Sequence, residues 1–538
     1  MPTPFSVLFT VGLFALSALF SPVAVAAENE GQPDLDKAIE TKVSAETLAE
    51  WGTVIDLCQS ALDKGLDKAN EEFCKQLLSS TLLQRAEEIS ERLFNKNNPF
   101  GPQAPNFVRM ALKDVERAVE IDPKQASAQV LLGKLQGRSG DLKKARLAFD
   151  EAVRLAKDDD DVKAQAFRWR GLISEKLDDR LDDLSEAVKL APDNAEILRD
   201  RGAAYLAAGK PEEALADFDA ALKIDDDDVA AHEARGMALD SLKRYEDAAE
   251  SFGRAVELSP GNAILLLQRA RMRALTGNHE GAIDDVDRAL EIDPDNLFGL
   301  LLRAQTLVQL DKAEEALADA NRALASRPDS DDALRVWAMV TEKADKAEEA
   351  IKELRQQVEA NPDDAVAWLQ LGLLYAAGKQ SAKAIDADSA AIKLDPQRDF
   401  AYQVRADIYL NGGQQKEAIG DYEKALKLDA ERNNGMATNN GILNNLAWVL
   451  ATSPEKELRD GQRAIKLATQ ACELTNYKMA HILSTLAAAY AETGDFETAR
   501  KWSAKSVEIA DDSLKDQLRK ELASYEKEQP WREKQPQP

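Results

Sequence analysis

"HEGAIDDVDRALEIDP" occupies residues 279–294, and its pattern returns thirty-four residues to either side, as "YEDAAESFGRAVELSP" at 245–260 and "AEEALADANRALASRP" at 313–328. Seven such phrases start at Pro211, Tyr245, His279, Ala313, Ala347, Ser381 and Gln415, with no slip in spacing. Alanine fills one slot in all seven: Ala214, Ala248, Ala282, Ala316, Ala350, Ala384 and Ala418. Seven residues later come Ala221, Ala255, Ala289, Ala323, Ala391 and Ala425, with Gln357 as the exception. The stretches between phrases carry a small slot of their own: Gly202, Gly236, Ala270, Ala304, Ala338, Gly372 and Ala406. Apolar residues fall at three- and four-residue steps throughout, the spacing of an amphipathic helix. Each unit therefore reads as two helices with a short turn inside and a proline-marked turn after it.

The register has a physical cause. Two helices approach to about 8–10 Å only where the side chains at the crossing are small. Proline closes the second helix because it lacks an amide hydrogen and clashes with the preceding turn. The remaining positions face solvent or a partner and are free to vary.

A 34-residue helix-turn-helix with these slots resembles the tetratricopeptide repeat. The fullest match is "WLQLGLLYAAGKQSAKAIDADSAAIKLDP", where Trp368, Leu371, Gly372, Tyr375, Ala384, Ala391 and Pro396 all fit the pattern. The resemblance implies an all-α fold, a right-handed α-α superhelix of about ten to eleven stacked units. Degenerate copies extend it upstream through Gly133, Ala145, Phe149 and Ala152, and through Ala111, Ala118 and Pro123. A glycine- and asparagine-rich insert, "ERNNGMATNNG" (431–441), breaks the rhythm before a divergent pair of units, an ending that resembles exported bacterial members of the family.

The expected organisation is an apolar leader at 1–27, an N-terminal helical hairpin at 28–105 and an array at 106–430, regular from about residue 195. The divergent pair follows at 431–512, then a capping helix and flexible tail at 513–538. The leader runs from Phe5 to Phe20 without charge, and small residues near Ala24 and Ala26 fit a signal-peptidase site. An uncleaved anchor is the alternative, since no Lys or Arg precedes the apolar run. The expected location is the periplasm or cell envelope, with membrane attachment only through that segment.

The formal charge of −27, from 96 acidic and 69 basic residues, repels phosphate backbones, so no nucleic-acid partner is expected. Three cysteines are present. Cys58 and Cys74 lie equally far from a turn at Leu66, which permits a disulfide across a helix pair or simply two buried thiols. Ser44 reads as the cap of the first of these helices.

No catalytic constellation is expected. The three histidines, His232, His279 and His481, have no nucleophile placed beside them by the repeat geometry. Metal-ligand spacing and phosphate-binding loops are absent from the sequence, and no cofactor is expected. The runs "DDDD" at 158–161 and 225–228 read as helix caps rather than calcium loops.

The resemblance implies a partner surface on the concave face lined by first helices. Carried over slot by slot, that face holds Leu267, Arg271, Leu301, Gln305, Arg335, Met339, Leu369, Leu373 and Gln403, beside Ile264, Phe298, Val366 and Phe400. The competing reading is that these residues pack on neighbouring helices. The function expected is a non-enzymatic scaffold or assembly factor for a protein or peptide. A holdase-like chaperone and a targeting subunit of an enzyme such as a glycosyltransferase are the alternatives.

Overall fold

The computed structural model describes residues 29–94 and 99–533; the leader at 1–27 lies outside them. Every element described is helical, and none is a strand. The chain divides into two compact units, Met1–Asp226 and Asp227–Pro538.

The first unit holds α1 (Gln32–Ser44), α2 (Leu48–Lys64), α3 (Lys68–Phe94), α4 (Ala104–Ile121) and α5 (Ala126–Ser139). It continues with α6 (Leu142–Leu155), α7 (Asp160–Leu172), α8 (Leu177–Leu190), α9 (Ala195–Ala207) and α10 (Pro211–Ile224). The second unit begins with α11 (Val229–Ser241), α12 (Tyr245–Leu258), α13 (Ala263–Leu275), α14 (His279–Ile292), α15 (Leu297–Gln309) and α16 (Ala313–Ser326). Next come α17 (Asp331–Lys343), α18 (Ala347–Ala360), α19 (Ala365–Ala377), α20 (Ser381–Leu394), α21 (Asp399–Asn411) and α22 (Gln415–Arg432). It ends with α23 (Asn440–Thr452), α24 (Gly461–Leu474), α25 (Ala480–Glu492), α26 (Phe496–Ile509) and α27 (Asp512–Glu526). Each odd-numbered helix up to α25 pairs with the even-numbered one after it, and within each unit each pair stacks on the next.

Local chemistry explains the rhythm. The first helix of six of the seven regular pairs is capped from one slot: Asn194, Asp228, Asn262, Asn296, Ser330 and Asp364 each accept a hydrogen bond from a first-turn amide, while Arg398 before α21 makes no such cap. Asp228 belongs to the second aspartate run and Asp159, which caps α7, to the first, so both runs cap helices. The inner turn always contains a left-handed residue, at Gly209, Lys243, Gly277, Asp311, Asp345, Lys379 and Gly413. That conformation terminates the first helix and lets the chain reverse.

The small slots lie where the helices cross, and Ala214, Ala248, Ala282, Ala316, Ala384 and Ala418 are completely buried. The slot on the first helix is matched to a side chain sixteen residues later. A Cβ added to Gly202 would come within 2.7 Å of Phe218, and one added to Gly236 within 2.8 Å of Phe252. Where the later residue is smaller, as at Val286 and Ala320, the earlier one is alanine, Ala270 and Ala304. Glycine thus makes room for an aromatic ring.

In the N-terminal region α2 packs against α3, the long α3 pairs with α4, and an additional helix not anticipated, α1, packs against α2. Ser44 ends α1; the cap of α2 is Thr47, whose hydroxyl accepts from the Glu50 amide while the Glu50 carboxylate accepts from the Thr47 amide. Cys58 and Cys74 are buried neighbours, with the Cys74 thiol 3.4 Å from the Cys58 carbonyl oxygen, and both are free thiols. Cys472 is a lone buried thiol whose proton affinity burial pushes up to about 12.

The C-terminal segment is not loose as far as Glu533. Trp531 packs against the apolar cluster built on α21–α26, the Glu533 amide donates to the Thr452 carbonyl at 3.0 Å, and Arg532 pairs with Glu492. An aromatic anchor and an ion pair outweigh the cost of ordering these few residues.

Candidate functional site

Two rows of side chains run across the first helices of the second unit, one turn apart. In the row at 267, 301, 335, 369 and 403, the side chains of Leu267, Leu301, Leu369 and Gln403 are buried and so are not open to a partner. Successive first helices touch along this line, which closes it. Arg335 alone in the row remains exposed, its guanidinium lying over the Phe400 ring at 4.5 Å.

The row at 237, 271, 305, 339 and 373 stays more open. Arg271 is held by Asp240 of the preceding first helix at 2.7 Å, and Leu373 is half-buried. Gln305 and Met339 are exposed, as is Met237. At the start of the same helices Ile264 is 63% exposed and Phe298 45%. Solvent-facing side chains of this size leave apolar area in water at about 25 cal/mol per Å².

Sequence reasoning missed a set of buried ion pairs. Arg201 holds Asp217 through two hydrogen bonds of 2.7 and 2.6 Å; Arg303 grips Asp319 at 2.7 and 2.6 Å, and Arg405 grips Asp421 at 2.7 Å twice. Arg269 and Asp285 make the same fork, and Arg235 reaches Ser251 in the equivalent place. Each pair joins the two helices of one repeat. The signal was present: an arginine directly before the small slot and an aspartate sixteen residues after it, recurring every thirty-four. Bidentate geometry compensates the desolvation of these carboxylates and fixes the register of the two helices.

Two repeats lack this clasp. In α17/α18 the equivalent positions hold Trp337 and Glu353; in α19/α20 they hold Leu371 and Ala387. Helices α17 and α18 barely touch, and α18 buries only Leu354 and Val358. Openings form on both sides of α18: one of about 490 Å³ bounded by Val358, Trp368, Leu371 and Tyr375, another of about 570 Å³ bounded by Leu324, Trp337 and Gln357.

In α19/α20, Asp388 stands where other repeats place Phe218, Phe252 or Tyr422. It is completely buried and neither oxygen has a hydrogen-bond partner. A Cβ on Gly372 would lie 1.9 Å from its Oδ1. Burial raises the proton affinity of this carboxyl well above the usual range, against the pull of Arg405.

A further opening of about 240 Å³ lies among α23, α25 and α27, with Asn444, Trp448, Ser484 and Glu521 among its walls. Burial raises Glu521 above the usual carboxylate range, against hydrogen bonds from Ser484 and Gln517, and the charge of Glu533 adds to the rise. Among the described residues no three metal-ligating side chains converge, and no helix is long and apolar enough to cross a membrane.

Tetratricopeptide-repeat profiles match residues 106–160, 233–296 and 336–399, and further profiles of that description match 195–228 and 401–432. No curated protein matches the sequence. Similar solved structures include YrrB, described as a TPR protein with an unusual peptide-binding site, at 23% identity over 35% of this chain and 95% of that one, TM-score 0.31. Yeast Tom70 is similar at 16% identity over 75% of this chain and 96% of its own, TM-score 0.39. The Arabidopsis OM64 TPR domain is similar at 28% identity over 21% of this chain and 97% of its own, TM-score 0.21. With the profile matches at 195–228, 233–296, 336–399 and 401–432 falling on helix pairs that carry the thirty-four-residue slots, the chain is a tetratricopeptide-repeat protein.

Proposed function

We propose that this protein is a non-enzymatic scaffold or assembly factor that holds a protein or peptide segment on the first-helix face of its second unit, and that it works in the bacterial cell envelope after export. The observation that supports the binding face is the exposure of four apolar side chains on successive first helices, Ile264 and Phe298 at the helix starts and Met237 and Met339 two turns further along. Such a surface suits an extended or helical segment with apolar residues at matching intervals. The apolar leader supports export.

The test is cross-linking and affinity capture from an envelope fraction, comparing the full chain with Ile264→Asp and Phe298→Asp. One or a few proteins captured by the parent and lost in both variants is the expected result. Equal capture by parent and variants would overturn the face. Broad suppression of aggregation of unrelated unfolded proteins would replace the scaffold by the holdase reading. N-terminal sequencing of the mature protein is expected to begin near residue 28; an intact Met1 would replace cleavage by anchoring.

A further inference from the structure

The opening among α23, α25 and α27 sets hydrogen-bond acceptors of Asn444 and Glu521 beside Leu514, Leu518 and Trp448. Tyr422 donates to Asp407 at 2.5 Å and the Asn445 amide nitrogen donates to the same carboxylate at 3.2 Å. That fixes which way Asn445 faces: its oxygen accepts from the Asn444 nitrogen at 3.3 Å. The chain of bonds leaves Asn444 Oδ1 over. Asn444 is 9% exposed and this oxygen has no partner. A buried acceptor without a donor costs about 1–3 kcal/mol, so one that lines a cavity asks for a ligand that donates.

The rest of the wall agrees. Glu521, 1% exposed, accepts from Ser484 and from Gln517 and keeps further lone-pair capacity. Glu533 stands close enough for its charge to act on Glu521, and it receives the Trp448 indole N–H. Trp448 adds a half-exposed aromatic surface. No Lys or Arg lines the opening. Arg532 and Arg459, the nearby cations, are committed to Glu492. Glu521, an orphan amide oxygen and an indole line the opening beside His481, which burial holds toward its neutral form, and the chain around them carries a net charge of −27.

We propose that this opening is a binding pocket for a cationic side chain, and that its ligand is an arginine of a partner protein. A guanidinium carries five donors in a plane, enough to meet Asn444 Oδ1 and the free lone pairs of Glu521 while its face lies on Trp448. A volume of about 240 Å³ holds one such side chain and little else. The identity of the ligand as a partner's residue rests on the scaffold reading; the pocket itself does not.

The test uses the full chain labelled with 5-fluorotryptophan, whose seven tryptophans are followed by fluorine NMR, with Trp448→Phe serving to assign that resonance. The probes are N-acetyl-arginine amide and the neutral isostere N-acetyl-citrulline amide. The expected result is a saturable shift of the Trp448 resonance with the arginine compound and none with citrulline. Glu521→Gln is expected to weaken the shift-derived affinity at least tenfold and Asn444→Ala severalfold, with the other tryptophan resonances unmoved as the sign of an intact fold. Absence of a Trp448 shift, an equal shift with citrulline, or unchanged affinity in both variants would overturn the pocket. Loss of the envelope partner with the pocket intact would instead count against the scaffold reading alone.

Discussion

The repeats α13/α14 and α17/α18 share a length and a period but not a packing. In the first, Ala270, Ala282 and Ala289 sit at the crossing, Arg269 clasps Asp285, and the two helices pack closely. In the second, Gln357 replaces the second alanine, Trp337 and Glu353 replace the clasp, and the helices stand apart with openings on either side of α18. The neighbouring α19/α20 keeps its small slots yet puts an unpartnered carboxyl into the aromatic position. Helix formation alone therefore does not close a repeat. Small crossings, a matched volume sixteen residues later and a clasp coincide in most repeats; α19/α20 packs closely without the clasp, whereas α17/α18 lacks both the clasp and the second small residue.

The largest way to sharpen this contrast is Asp388→Phe. The substitution removes a buried group lacking hydrogen bonds and returns an aromatic ring to the hollow in front of Gly372, as Phe252 fills that in front of Gly236. The expected gain is ~2–4 kcal/mol, read as slower amide exchange across α19 and α20 and a higher midpoint in urea. The parent should also respond to pH through this residue. Its folded-state proton affinity is raised by burial, with Arg405 opposing and Asp421 adding to the rise, so the folded chain holds this proton more tightly than the unfolded one. The contribution of Asp388 to stability is then greatest in acid and falls as pH rises above the ordinary aspartate range, by at most about 1.4 kcal/mol per unit. Asp388→Asn should flatten that slope; an identical slope in parent and variant would remove Asp388 as its source.

Much of this was legible beforehand because packing constraints repeat. Ala282 and its equivalents had to be small, and a thirty-four-residue period exposes that in one sequence. The charged clasps were equally periodic, but an Arg and an Asp sixteen apart look like ordinary surface charges until the crossing point turns both inward. Gln357 was visible as an exception, though not that it would open cavities. The first-helix face was read only in part: Leu267, Leu301, Leu369 and Gln403 share a helix with exposed residues, and what buries them is the neighbouring first helix, which depends on how tightly successive repeats stack. Trp531 and Arg532 form no periodic pattern, so their docking could not be read at all.

A second way to break the comparison is to put the same substitution into both repeats. Ala282→Leu forces a larger side chain into a closed crossing and should cost about 1–3 kcal/mol. Ala350→Leu enters the equivalent slot of α18, which is half-buried beside an opening, and should stay within ~0.5 kcal/mol. Because an array need not unfold in one step, the comparison belongs to amide exchange within each repeat rather than to one melting temperature. Equal costs at the two sites would mean that α17 and α18 close in solution.

The smallest expected effect is the most specific. Gln357→Ala restores the missing small residue while leaving the clasp absent, so it separates the two requirements. It loses the hydrogen bond from Gln357 to Asp364 at 2.8 Å, which is exposed and worth little. If crossing size alone holds α18 away, exchange in α18 should slow by the equivalent of ~0.5–1 kcal/mol and the opening between Trp337 and Gln357 should shrink. If the helices remain apart, the clasp positions are decisive, and the double change Trp337→Arg with Glu353→Asp should close what the alanine could not. Either outcome assigns the gap to named side chains, because α17 and α18 already have the helical sequence, the Ser330 cap and the left-handed turn at Asp345 that the closed repeats possess in equivalent form.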